Sequence, residues 1–178
     1  MLTAREEIVI EVLRQRALPV LKQLANVPDN CCIRASRVGQ EVLRHFGIEA
    51  QALSVDLIVQ TDTDRLVVGL ERPATYVPGA FYGHVILWAN KAILLDLTLS
   101  QARGVDPSLS GAKFEVSDLE GLSQGLSFTW PSGTALGYRR ARDKSWRYAR
   151  DWTEKDRRQP AVRQLVGEIE AQLSLIGD

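Results

Sequence analysis

Cys31 and Cys32 are the only cysteines in a chain of 178 residues, and they stand side by side in DNCCIRASRVGQEVLRHFGIEA, Asp29 to Ala50. Ile33, Ala35, Val38, Val42, Leu43 and Phe46 recur behind them at helical spacing, and Gly47 suits the position just past a helix end. The pair therefore opens a helix. A thiol there meets the positive end of the helix dipole and backbone N–H groups with no partner, and both favour the thiolate. With a base beside it, a thiolate is a nucleophile for acyl transfer, and an N–H of the same turn can donate to a developing oxyanion.

Two histidines are available as that base. His45 lies at the far end of the same helix, about 20 Å from Cys32 by the helical rise, and reads as a charge near a helix C-terminus. His84 opens the apolar run GHVILWA. Taken alone, it reads as a core histidine satisfied by a hydrogen bond. Asp96 alters that reading, because it sits inside AILLDLT, twelve residues on. A buried carboxylate is costly unless paired, and a histidine on the neighbouring strand is the nearest partner. If Ala89, Asn90 and Lys91 form a three-residue turn, His84 falls directly opposite Asp96 on one face. A two-residue turn would send Asp96 to the other face. Lys91 is a poor residue for the left-handed position such a loop requires.

The elements that must position these groups follow from the same patterning. Thr3 and Glu6 form a capping box, and Ile8, Val12, Leu13, Leu21 and Leu24 continue a helix that Pro19 is expected to kink or divide. Asp29 or Asn30 is placed to cap the cysteine helix. EAQALSVDLIVQ and RLVVGL read as strands around the turn TDTD, and HVILWA and KAILLDLTL as a hairpin apolar on both faces, hence central. AKFEV and LSFTW are shorter strands between Gly- and Ser-rich loops. Pro160 to Ile176 is an amphipathic helix. The expected class is α+β with an antiparallel sheet. A single domain spans 1–178, with a core over about 1–130 and a basic strap and helix over 131–178.

With those elements placed, the chain resembles the transglutaminase-like, papain-like superfamily of cysteine hydrolases, in particular small bacterial members. The resemblance runs from about Asn30 to Gln101. It rests on Cys32 followed by Leu43-Arg44 and GIEA where GIPA is common, on a strand His84, and on Asp96 in DLTLSQA. The register selects Cys32 over Cys31. The resemblance implies a papain-like core with a nucleophile helix on an antiparallel sheet, and a triad of Cys32, His84 and Asp96. Cys32 would attack a carboxamide, peptide or thioester carbonyl, and an acyl-enzyme would pass to water or an amine. Asn30 or Gln23 would support the oxyanion, and Trp88 and Gln101 would contact substrate. Glu49 stands where proline is usual.

Composition excludes several other classes. Hydrophobic residues make up 45% and charged residues 25%, with zero net charge, so the chain folds around a core and exerts no global field on partners. No apolar stretch is long enough to span a bilayer, no signal peptide opens the chain, and adjacent cysteines give no disulfide framework. The reading is cytoplasmic. No cofactor is implied: nucleotide-binding glycine motifs are absent, and neighbouring cysteines without C-x-x-C spacing make a poor metal site. One segment stands apart. Tyr138 to Arg158 carries nine Lys or Arg against four Asp or Glu, with Tyr138, Trp146, Tyr148 and Trp152 interleaved. Either its rings pack on the sheet while its charges stay solvated, or it binds an anionic partner, nucleic acid being disfavoured. A non-catalytic module using that segment is the alternative to an enzyme, and buried structural thiols are a third reading.

Overall fold

The computed structural model describes residues 2–25, 31–69 and 81–176. The fold is α+β. Helix α1 (Ala4–Ala25) and helix α2 (Cys32–His45) precede β1 (Ala50–Gln60), β2 (Arg65–Val68), β3 (His84–Ala89) and β4 (Ile93–Asp96). A 3₁₀ turn (Leu99–Ala102), β5 (Ala112–Glu115), the short α3 (Glu120–Gln124), β6 (Leu126–Thr129) and β7 (Ala135–Arg140) follow. A second 3₁₀ turn (Ser145–Tyr148), α4 (Arg150–Thr153) and α5 (Gln159–Ser174) complete the chain.

The strands pair antiparallel in the order β5-β4-β3-β1-β7-β6, with β2 also on β1. The sheet curls, so that Phe114 of β5 stacks on Phe128 of β6 at 4.0 Å and Tyr138 packs against both. Alternation along the strands then divides two cores. One face of β3 and β4 (Val85, Leu87, Ile93, Leu95) packs on α1, α2 and α5, and the other (Ile86, Leu94) lines the inside of the curl with Val55, Leu57 and Tyr138. Gly39 lets α2 seat closely, since a Cβ there would lie 2.7–2.8 Å from the methyls of Leu97 and Leu87.

Four local expectations change. Helix α1 runs unbroken through Pro19. Gln15, whose carbonyl loses its partner, and Pro19 are both on the exposed side, where water can serve that carbonyl, while Ala17, Leu18, Val20 and Leu21 hold the opposite side in the core. The N-cap of α2 is Cys31, which makes no side-chain cap bond, and Asp29 and Asn30 fall outside the described residues. The β3–β4 loop is Asn90-Lys91-Ala92 rather than Ala89-Asn90-Lys91, with Ala89 opposite Ile93. Asn90 and Lys91 both take positive φ, 48° and 54°. Finally, Ala135–Arg140, beyond the anticipated core boundary near residue 130, is a strand seated between β1 and β6. Its single alternation, Leu136 and Tyr138 inward, is short and ends in arginines, which hid it among the basic residues.

Candidate active site

Helix α2 begins at Cys32 with its first backbone bond from Ala35 N–H to the Cys31 carbonyl, 2.9 Å. The N–H groups of Cys32, Ile33 and Arg34 therefore have no intrahelical acceptor. Ser36, one turn on, donates to the Val85 carbonyl at 2.9 Å and ties this end of α2 to β3 beside His84. Cys31 and Cys32 are both buried free thiols. Burial, reinforced by the neighbouring Cys32, pushes the Cys31 thiol up to about 12, so Cys31 stays protonated.

His84 Nε2–H donates to Asp96 Oδ2 at 2.8 Å, with both side chains inaccessible. The three-residue loop keeps the two residues on one face, as the sequence required. The shifted register makes them diagonal rather than directly opposite, with Asp96 one step beyond the Leu87–Leu95 pair. Cys32 lies within hydrogen-bonding reach of the imidazole. Burial works to lower the His84 pKa, but the Asp96 charge, its hydrogen bond and the Cys32 sulfur outweigh that, raising it from 6.5 to about 10. The arrangement holds a positive imidazolium between a carboxylate and a sulfur.

Two further residues complete the carboxylate. Tyr138 O–H donates to the same Asp96 Oδ2 at 3.0 Å, and Thr98 N–H donates to Oδ1 at 3.0 Å. Burial, followed by the adjacent Asp96 charge, holds the Tyr138 phenol well above its ordinary value, so it remains a donor. Neither residue was legible beforehand: Thr98 acts through its backbone, and Tyr138 comes from the strand hidden in the basic segment.

Gln101, on the 3₁₀ turn after β4, meets His84 directly, its Nε2 lying 2.9 Å from His84 Nδ1. A neutral ring accepts from this amide, whereas a protonated ring requires the carboxamide turned so that its oxygen accepts. Trp88 is not brought to this group. It sits four residues along β3, roughly 13 Å by the strand rise, and packs in the inner core. Gln23 is exposed on the last turn of α1 and bonds no described residue, and Asn30 falls outside the described residues. His45 is exposed, 3.5 Å from Glu170.

The basic segment starts in the sheet, where Tyr138 packs inside the curl, and from Trp146 onward folds over α2, with Tyr148 left exposed. Trp146 is buried edge-on to Trp152, and the Arg37 guanidinium stacks over Trp152 at 4.8 Å. Asp151 pairs with buried Arg34, one turn from the cysteines, and Arg158 Nε–H donates to Glu41 at 2.7 Å. Arg150 and Arg157 pair with Glu154. Much of the segment's charge is thus met within the protein. Among the described residues no group of three or more His, Cys, Asp or Glu is placed to hold a metal ion, and no helix is long and apolar enough to cross a membrane.

No protein-family model and no curated protein matches the chain. A crystal structure of a genomics target, APC5867, is similar in fold: it shares 15% identity at a TM-score of 0.55, covering 94% of this chain and 79% of that one. At that identity the likeness concerns the fold alone.

Proposed function

We propose that this protein is a cysteine-dependent acyl hydrolase or acyl transferase of the transglutaminase-like, papain-like kind. The observation that carries the reading is the order Cys32, His84, Asp96 in space: a helix-opening thiol in reach of an imidazole whose other nitrogen is committed to a buried carboxylate. Nε2 is spoken for, so Nδ1 is the nitrogen that exchanges a proton with the thiol. The imidazolium already holds on Nδ1 the proton given up by the thiol, so Cys32 attacks as the thiolate, its sulfur bonding the carbonyl carbon of an amide, peptide or thioester while the carbonyl electron pair moves to oxygen. The N–H groups opening α2 face the developing oxyanion. The leaving amine or thiol takes the proton from Nδ1, the acyl group stays on Cys32, and water or an amine then releases it. Asp96, held by Tyr138 and Thr98, orients the ring. The internal pairing of the basic segment supports this reading over a binding module built on that segment.

The test is to trap the intermediate. Incubation with an activated ester, read by intact and peptide mass spectrometry, should add one acyl group at Cys32 and none at Cys31. Cys32→Ala should remove the adduct, and His84→Ala should slow its formation by about 10²-fold or more. An adduct formed equally fast without His84 would remove the case for the triad.

A further inference from the structure

A cleft of about 310 Å³ lies on the α1 side of the 3₁₀ turn that carries Gln101, lined among others by Arg14, Lys22, Ser100, Arg103, Ser110 and Gly111. Its lining holds the cationic side chains of Arg14, Lys22 and Arg103, of which Arg14 is paired with Glu11 and Lys22 is engaged elsewhere in the protein. Arg103 spends Nε–H on the Leu109 carbonyl at 2.8 Å, which fixes the plane of its guanidinium, and its terminal nitrogens bond no described residue. Arg14 is fixed likewise: Glu11, outside the lining, takes one edge, and the Gly111 carbonyl accepts from Nη1 at 2.6 Å. The loop between them is held rigid by Asp106, whose carboxylate accepts from Ser108, Ser132 and Thr134 and is kept well below the usual carboxylate range by those hydroxyls. Ser100 is 7% exposed, and its Oγ has no hydrogen-bond partner. An unpartnered buried hydroxyl is costly, and an anionic ligand oxygen would recover that cost.

We infer that this cleft binds a phosphate group, free or as a small monoester, through the Arg103 fork with Arg14, Ser100 and Ser110. The pre-oriented Arg103 fork beside hydroxyl donors matches the several oxygens of a phosphate better than the two of a carboxylate. The space exceeds the anion itself and leaves room for an ester substituent. The site is independent of thiol chemistry, although Ser100 adjoins Gln101.

The experiment titrates the protein with inorganic phosphate, glycerol 3-phosphate and, as a monoanion control, acetate, following backbone amides by NMR and the melting temperature. Saturable shifts at Ser100, Arg103 and Gly111 with phosphate or the ester, weak or absent with acetate, are expected, and the tighter of the two phosphates identifies the source. Arg103→Gln should weaken binding about tenfold, the worth of a charge-assisted bond. Ser100→Ala should also weaken it, while raising the melting temperature in phosphate-free buffer because the orphan hydroxyl is gone. Shifts that do not saturate, shifts equal for acetate, or affinity unchanged in Arg103→Gln would overturn the site.

Discussion

At the scale of single residues, the pairing of His84 with Asp96 governs both stability and reactivity. The His84 pKa is raised from 6.5 to about 10 in the fold. Its contribution to stability is therefore complete below pH 6.5 and is lost as pH rises through about 10. Thermal unfolding followed from pH 6 to 10 should show a falling melting temperature, and His84→Asn, though less stable, should show a flatter profile; parallel profiles would mean that the ring gains nothing from Asp96. Gln101 acts on the other nitrogen. Its carboxamide competes with Cys32 for Nδ1, so Gln101→Ala should raise the alkylation rate of Cys32 several-fold at neutral pH. A slower rate would make the amide a support for the imidazolium instead. The residues of the proposed triad were legible because each violates its surroundings: two cysteines in a chain with no others, and a histidine and an aspartate in aliphatic runs. Tyr138 violated nothing, since a tyrosine among arginines reads as surface.

At the scale of elements, the β3–β4 loop decides whether His84 and Asp96 share a face. Three residues keep Asp96 on the His84 face, and removing Ala92 would turn it away. A chain lacking Ala92 should be strongly destabilised, with a buried carboxylate left unpaired. Lys91 sits at φ 54°, where a side chain is strained, so Lys91→Gly should stabilise by about 0.5–1 kcal/mol in denaturant titration. Sequence spacing demanded an odd loop but could not place it, because Ala89 and Ala92 flank Asn90-Lys91 symmetrically and either can be the third residue. The strands β1 to β4 and helices α2 and α5 followed directly from apolar periodicity. β7 did not: its six residues offer only two inward side chains, and its position between β1 and β6 is set by the curl of the sheet.

At the scale of the whole molecule, α2 is clamped between two layers. The sheet receives it at Gly39, and the chain from Trp146 to Arg158 crosses its outer side through Arg34–Asp151, Arg37–Trp152 and Arg158–Glu41. This clamp fixes the Cys32 end of the helix against β3. Arg158 is 4% exposed, so Arg158→Ala would take from Glu41 its shortest partner, leaving it Arg37 and Gln159, and should cost about 2 kcal/mol in equilibrium unfolding. A change within a few tenths of a kcal/mol would mean that the segment rests on α2 without holding it. Gly39→Val should push α2 off the sheet, at about 2 kcal/mol, and slow Cys32 alkylation without touching any triad residue. Arg140 and Arg142 remain exposed beyond the clamp.

The most direct test of the central claim is the rate of alkylation of each cysteine by iodoacetamide as a function of pH, resolved by peptide mass spectrometry, in the wild type and in His84→Ala. The account predicts that Cys32 reacts at neutral pH much faster than Cys31, which stays a thiol until about pH 12, and that loss of His84 slows Cys32 sharply. Equal labelling of the two cysteines, or a Cys32 rate indifferent to His84, would contradict it.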